Sequence, residues 1–309
     1  HIPTWESTGR ETRRPHPAPR ARRPHLTEEG IVDGDDTIPI IERSADWIAL
    51  NKPVGIAAHG AGALDEIVRS VAADQGWWNE SLSFRPGPVH RLDRNTSGVQ
   101  LFSLTAEGAR TLTEQVRRRT MHKIYLALVA GHLPTRTECV RRLAYDRSRR
   151  TAVVEPPSGP GADPSLRRFR FASATTRFYP LTFTADRSVG LVAAVPETGR
   201  THQVRAHAAA LGIPLLGDVK YGGGIEHRAG EDHDETQRGG EGSPEERYVL
   251  HALLLAAKNP AKTWIAPLPS AVFGRLRGIF GDLAAVEQRL TELVPAACTP
   301  CPPNVTIHL

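Results

Sequence analysis

Apolar residues recur along this chain with two spacings, every second position or every third to fourth, and the switches between them predict where strands give way to helices. Trp47-Ile48-Ala49-Leu50 is a short apolar run stopped by Asn51-Lys52-Pro53, the pattern of a buried strand entering a turn. Leu64, Ile67, Val68 and Val71 fall on one helical face, and Gly76 stands where that helix should end. A second helix is expected from Thr105, whose hydroxyl can cap it, with Ala109, Leu112 and Val116 facing inward and Arg117 to Arg119 near the negative end of its dipole. From His122 to Ala130 the period changes to two. Lys123, Tyr125, Ala127 and Val129 share one face of the predicted strand, and Ile124, Leu126 and Leu128 the other.

Further strands are predicted at Phe169 to Phe178, Leu181 to Thr184, Leu191 to Val195 and Tyr248 to Leu255. A helix is expected over Thr201 to Leu211, closed by Gly212, and a last one is marked by Leu283, Val286 and Leu290. Loops, not regularly placed helices, separate these strands. The expected fold class is therefore α+β, a mixed, mainly antiparallel sheet core with flanking helices. Residues 1–36 mix Arg, Pro, Glu and Gly without a period and read as a disordered arm. Residues 37–295 read as one globular domain carrying a Gly- and acid-rich insertion at about 223–246, and 296–309 as a C-terminal tail.

Composition bounds the function classes. With 309 residues and 39% hydrophobic content the chain can bury a sizeable core. No apolar run approaches the roughly 18 residues that cross a bilayer, and His1 to His25 is basic and Pro-rich, unlike a secretory leader. The cytoplasm is the expected compartment, with no membrane partner. Three cysteines, Cys139, Cys298 and Cys301, exclude a disulfide framework, and the C-x-x-C pair lacks two further ligands at zinc-site spacing. A net charge of +5 fits a partner made of phosphate. Glu226 to Glu246 holds eight acids against Arg228 and Arg238, so the remainder is more basic than the total suggests. Arginines cluster at 117–119, at 141, 142, 147, 149 and 150, and at 167, 168 and 170.

Chemistry concentrates in Pro88-Val89-His90-Arg91-Leu92-Asp93-Arg94-Asn95-Thr96-Ser97-Gly98, a polar cluster between apolar stretches. Such a cluster is costly unless its groups satisfy one another or a ligand, so the segment is either a polar turn held by an Asp side chain or a site. His90 to Gly98 resembles the H-R-L-D-x-x-T-S-G motif of RluA-type pseudouridine synthases. Four collinear segments agree. Asn51-Lys52-Pro53-Val54-Gly55 with His59 is similar to the family's opening N-K-P-x-G element, and Lys123 to Gly131 resembles its K-x-Y-x-A-x-V-x-G strand. Glu197 to His207, continuing through Gly217-Asp218 to Tyr221-Gly222, resembles its longest block, and Leu250-His251-Ala252 the strand that follows. Together these cover about residues 45–258.

The resemblance implies an isomerase with a central RNA-binding cleft that acts on structured RNA without cofactor, metal or nucleotide. It makes Asp93 the catalytic carboxylate, attacking the sugar or removing a proton from it. Its cation is expected to be Arg205, with Arg200 the competing choice and placed nearer a phosphate. Tyr125 would stack on the flipped uracil and relay a proton. Arg91 and His90, with Leu92 between them and Asp93, would brace the RNA once the base is extruded. Lys52, Lys123, the arginines at 117–119, and Arg200-Thr201-His202 would bind the RNA backbone, and the arginines of the arm could touch it. His202 and His207, five apart, do not share a helix face as metal ligands would. A monomer is expected, with ribosomal RNA favoured over transfer RNA. Residues 1–44 are too short and irregular for the small RNA-binding domain that often precedes the catalytic one. The alternative is a noncatalytic RNA-binding or ribosome-assembly protein of the same fold. A hydrolase would need a G-x-S-x-G elbow and a phosphate-loop NTPase a G-x-x-x-x-G-K, and neither is present.

Overall fold

The computed structural model describes residues 23–79, 81, 83–157, 163–224, 248–297 and 305–309. Most of the expected arm and acidic insertion, and both Cys298 and Cys301, lie outside the described residues.

Strand structure is present before Thr37. Strands β1 (His25–Leu26), β2 (Ile31–Asp33) and β3 (Asp36–Ile38) form a small antiparallel sheet. Its hairpin turns on Gly34, at φ +62°, and sets Ile31 opposite Ile38, both fully buried against Ile48, Leu50 and Leu64. Four apolar residues, Leu26, Ile31, Val32 and Ile38, spread over thirteen positions are too sparse to show a period, which is why this segment read as part of the arm.

The main sheet has ten strands. They are β4 (Ile40–Arg43), β5 (Trp47–Lys52), β6 (Gly87–Pro88), β7 (Ser97–Ser103), β8 (His122–Ala130), β9 (Thr137–Val140), β12 (Thr175–Phe183), β13 (Val189–Pro196), β14 (Leu250–Lys258) and β15 (Ala261–Ile265). Between β9 and β12 a separate hairpin pairs β10 (Leu143–Asp146) with β11 (Thr151–Val154). The sheet order is β4-β5-β7-β14-β8-β13-β12-β9, with β15 on β14 and β6 on β7. Every pairing is antiparallel except β7 with β14. The helices are α1 (Leu64–Asp74), α2 (Ala106–Arg118), α3 (Gln203–Ala210), α4 (Ser270–Phe280) and α5 (Ala284–Ala297). Thr105 caps α2 by accepting from Gly108 N–H at 3.1 Å, and Gly76 follows α1 at φ +67°. Among the described residues no helix is long and apolar enough to cross a membrane.

Strand β8 sets the two-sided architecture. Ile124, Leu126 and Leu128, all fully buried, pack with Leu276 of α4 and Leu290 of α5. Tyr125, Ala127 and Val129 pack on the other face with Leu92 and with Val204 and Ala208 of α3. Each buried leucine or isoleucine contributes about 1.5–3 kcal/mol, so a one-residue slip of β8 is prohibitive and Lys123 and Tyr125 are held on the second face.

Three boundaries differ from expectation. The predicted strands at Phe169–Phe178 and Leu181–Thr184 are one strand, β12, starting at Thr175. Pro180 has no N–H to give, and a register shift between Pro180 and Thr182 carries the pairing past it. Upstream, a 3-10 turn at Pro164–Arg168 begins on Asp163, which accepts from Ser165 N–H. The helix expected from Thr201 starts at Gln203, because His202 is left-handed at φ +55°. At the C-terminus residues 305–309 pack on α5, with Ile307 buried and its N–H donating to Thr291 Oγ1 at 3.1 Å.

Candidate active site

The loop 89–96 is pinned from below by Gln100 of β7, which accepts from Leu92 N–H at 3.1 Å and donates to the His90 carbonyl. The His90 ring is buried, and its Nε2 accepts from Leu101 N–H at 3.2 Å. That assigns the ring proton to Nδ1, which has no partner among the described residues. Burial and then the charge of Lys123 hold the imidazole neutral. His90 is therefore a strut of the loop at the cleft wall, not the exposed brace expected of it. Arg91 is exposed at the cleft and fits that role.

Lys52 also has a different part. Its ammonium is fully buried and donates to the carbonyls of Pro53 (2.8 Å), Ile56 (2.8 Å) and Arg94 (3.1 Å). All three N–H groups are spent inside the fold, so none remains for a phosphate. Burial pushes its pKa down to about 7, with Asp93 pulling the other way. Together with the Gly55 N–H, which donates to Arg94 O at 2.9 Å, Lys52 ties the opening motif to the loop that carries Asp93.

Below the loop, Ser97-Gly98 of β7 lies parallel to His251-Ala252 of β14. Gly98 sits at φ +110°, and a Cβ there would collide with the backbone of Ala252. Ser97 Oγ lies 2.9 Å from His251 Nδ1, and His251 Nε2 lies 2.9 Å from the Ala266 carbonyl. Donation to that carbonyl fixes the proton on Nε2 and makes Nδ1 the acceptor. The glycine and the two polar groups of the motif thus weld two strands beneath Asp93.

Asp93 lines a cleft of about 690 Å³, within the ordinary range of ligand pockets and roomy enough for a nucleoside, shared with Arg91, Lys123, Tyr125, Arg200 and His202. Its side chain is 25% exposed, so the carboxylate is open to the cleft while touching cations behind it. Arg205 Nη1 stands 3.5 Å from Asp93 Oδ2. The other edge of Arg205 grips Asp218, Nε to Oδ2 at 2.6 Å and Nη2 to Oδ1 at 2.8 Å, and its guanidinium stacks between the rings of Tyr221 and Tyr248. Burial works against the charge of Arg205, and the bonds to Asp218 together with the charges of Tyr248, Asp218 and Asp93 outweigh it. Arg200 is exposed and bonds the Ser173 carbonyl, so Arg205 and not Arg200 is the cation of Asp93.

His202 is the second neighbour of Asp93, its Nε2 3.9 Å from Oδ2. Tyr221 Oη accepts from Ala152 N–H at 2.6 Å, so its own proton points to His202 Nδ1 at 2.8 Å. That leaves the imidazole proton on Nε2, facing the carboxylate. Burial lowers the His202 pKa against the pull of Asp93, which favours the neutral ring. Tyr125 lies on the cleft floor, where burial and then the charge of Asp93 raise its phenol well above the usual range and keep it protonated. Lys123, half-buried on the same strand face, has its pKa pushed down to about 8 by burial. Thr201 is exposed at the rim, and Gln203 holds the turn by accepting from Arg200 N–H and the Thr198 hydroxyl.

Of the remaining candidates, Arg117 and Arg118 are paired with Glu114 at 2.6 and 2.5 Å. His207 is buried between Thr176 Oγ1 and the Arg141 carbonyl and does not converge with His202. Among the described residues no three His, Cys, Asp or Glu side chains come together as a metal site. Asp218, Tyr221, Tyr248 and Tyr145 were given no role in the sequence analysis. The first two lay inside its longest matched block, but nothing in the linear order shows that they meet Arg205 and His202.

A family model described as RNA pseudouridylate synthase matches residues 46–210. The tRNA pseudouridine synthase C of Haemophilus ducreyi is 31% identical over 223 residues, 72% of this chain and 86% of that protein. The ribosomal large subunit pseudouridine synthase C of Pasteurella multocida is 36% identical over 181 residues, 57% of this chain and 49% of that protein. That of Vibrio cholerae is 33% identical over 191 residues, 59% of this chain and 52% of that protein. The chain thus spans about half the length of these two ribosomal relatives. Among solved structures, human RNA pseudouridylate synthase domain containing 4 superposes with a TM-score of 0.57 at 22% identity, over 78% of this chain and 92% of that one, a likeness of fold.

Proposed function

This chain belongs to the RNA pseudouridylate synthase family, and we propose that it isomerises uridine in structured RNA with Asp93 as the catalytic carboxylate and no cofactor. The observation that carries this reading is the position of Asp93, open to the cleft on one side and backed by Arg205 and His202 on the other. A cation at its back holds and aims a carboxylate. In the reaction the bond from uracil N1 to the ribose carbon breaks, the base turns, and uracil C5 bonds to the same carbon. N1 gains a proton and C5 loses one, so nothing is oxidised or hydrolysed. The Asp93 carboxylate serves either opening, attack on the sugar carbon or removal of a sugar proton. Tyr125, held protonated on the cleft floor, stacks on the turning base and moves the last proton. Arg91 fills the space left by the extruded nucleotide, and Lys123, Arg200 and Thr201 hold the backbone around it.

Ribosomal RNA is the favoured substrate, supported by the motif around Asp93 and by the several relatives named for the large ribosomal subunit. Transfer RNA is the second reading, favoured by the longer alignment to the Haemophilus ducreyi protein. The test is tritium release from ribosomal and transfer RNA labelled at uracil C5, with the unaltered protein beside Asp93→Asn. Release by the first and not the second is expected. RNA binding without release by either would leave a noncatalytic RNA-binding protein instead.

A further inference from the structure

Among the described residues three histidines line the cleft, and one of them has no part in the chemistry above. The ring of His90 is engaged by Leu101 N–H, and His202 stands against Asp93. The side chain of His59 is 65% exposed, yet it is held. Its Nδ1 lies 2.8 Å from Oδ2 of Asp65, a buried carboxylate in the first turn of α1. The same oxygen accepts from Arg69 Nη1 at 3.2 Å, and Oδ1 accepts from the N–H groups of Gly60 and Glu66 at 3.3 and 3.1 Å. An oxygen that already accepts from a guanidinium takes the imidazole as a second donor. That puts a ring proton on Nδ1 and, in the neutral ring, leaves the lone pair on Nε2, the open side.

The loop that carries His59 is tied to the loop of Asp93. Gly55 N–H and Lys52 Nζ both donate to the Arg94 carbonyl, and Arg94 Nη1 returns a bond to the Gly55 carbonyl at 3.0 Å. On its other side Leu64 N–H donates to Ala57 O at 2.9 Å and Ala63 N–H to Gly60 O at 3.1 Å, which close the loop onto α1. Arg69 Nη1 also reaches the Pro86 carbonyl at 3.3 Å, joining α1 to the segment that enters the cleft wall at Pro88. His59 is thus fixed to the Asp93 loop through backbone and to its own helix through a buried carboxylate. Fixing an exposed ring costs rotamer freedom, and a merely solvated histidine needs no buried charge to aim it.

Around it Arg91, Arg94, Lys123 and Arg200 present only donors to the cleft. Phosphate oxygens only accept, so they suit those cations and not the Nε2 lone pair. The donors on RNA are the exocyclic amines and ring N–H groups of bases, and the 2′-hydroxyl that every nucleotide carries. Once a target uridine is extruded, its neighbours lie unstacked at the cleft with their edges open. We propose that His59 reads a base next to the target uridine, its Nε2 accepting from an exocyclic amine while Asp65 positions the ring; this deepens the RNA-isomerase reading above and rests on it.

The test uses a pool of RNA hairpins with one loop uridine and randomised neighbours, and compares the unaltered protein with His59→Asn and His59→Phe. Asparagine keeps a donor near Nδ1 for Asp65 and removes the outward nitrogen; phenylalanine removes both. The side chain is mostly exposed, so both variants should fold. RNA retained by each protein and RNA that has gained pseudouridine are sequenced separately. The unaltered protein should favour amino-bearing bases at one neighbouring position by about tenfold, and in both variants the favoured sequences should fall to within about twofold of the rest. A preference kept in His59→Asn and lost only in His59→Phe would make the ring a structural partner of Asp65 and overturn the proposal. An equal loss for every sequence, the mark of a sugar or phosphate contact, would also overturn it, as would a preference for uridine, which has no amine, or three identical profiles. Enrichment that depends on His59 with no pseudouridine formed would sink the isomerase reading and leave the base contact standing.

Discussion

Arg205 meets Asp218 through two parallel hydrogen bonds inside the protein, and only its remaining nitrogen, at 3.5 Å, reaches Asp93. The guanidinium is thus anchored to a carboxylate that never sees solvent and presented to one that does. Asp93 keeps a cation beside it without being locked in a bidentate pair, so its oxygens stay free for the substrate. Removing Asp218 leaves the buried Arg205 without its bidentate partner. Asp218→Ala should cost about 3–5 kcal/mol in urea unfolding. In whatever fraction folds, Arg205 should turn fully onto Asp93, and turnover should fall at unchanged RNA affinity. A variant as stable as the unaltered protein would mean that Asp218 does not hold Arg205.

Lys52 tests whether a motif lysine binds RNA or binds the fold. Lys52→Met removes three hydrogen bonds to carbonyls and leaves those acceptors buried, so it should destabilise by several kcal/mol, at about 1–3 kcal/mol for each group left unsatisfied. The salt dependence of RNA binding should not change, because no phosphate contact is lost. A salt slope reduced by about 1 would restore Lys52 to the RNA interface.

These two residues show what the linear order carries and what it hides. The alternation in β8 placed Lys123 and Tyr125 on one face and Ile124 on the other, and the packing agrees, because a two-sided sheet allows only one register. Asp93 and Arg205 were legible as a pair through the motifs. Lys52 was misread because a positive charge in a motif looks the same in sequence whether it faces phosphate or three carbonyls. Asp218 and Tyr221 went without roles because what matters is the turn that folds them back onto α3. The small β1–β3 sheet was missed since its apolar residues are too few to form a pattern, although Ile31 and Ile38 are fully buried.

His251 makes stability depend on pH. Burial pushes its pKa down to about 4, against an unfolded value near 6.5, so between those limits the unfolded chain binds the extra proton. Stability conferred by the neutral ring is present above about pH 6.5 and is lost as pH falls toward 4. Between pH 7 and pH 5 this one group should cost roughly 2 kcal/mol. His251→Gln should be less stable at pH 7, since the bonds to Ser97 and Ala266 are disturbed, but its stability should fall less over that interval. Parallel curves for the two proteins would assign the acid sensitivity elsewhere.

Tyr221 links the β10–β11 hairpin to the carboxylate. Its hydroxyl accepts from Ala152 N–H and donates to His202 Nδ1, which puts the imidazole proton on Nε2, 3.9 Å from Asp93. Tyr221→Phe keeps the ring against Arg205 but removes the group that selects this tautomer. The freed Ala152 N–H should cost about 1–3 kcal/mol. With the proton released to either nitrogen, His202 turns an acceptor toward Asp93 part of the time, and turnover should drop on the order of tenfold while the Michaelis constant for RNA holds. A purely structural role for Tyr221 would lower stability and leave turnover of the folded protein intact. Nitrogen shifts of the His202 ring separate the two cases: in the unaltered protein Nδ1 should show the shift of a hydrogen-bonded acceptor, and in Tyr221→Phe that signature should move toward a mixture of tautomers. Unchanged shifts would mean that Asp93 and Arg205, not Tyr221, set the state of the imidazole.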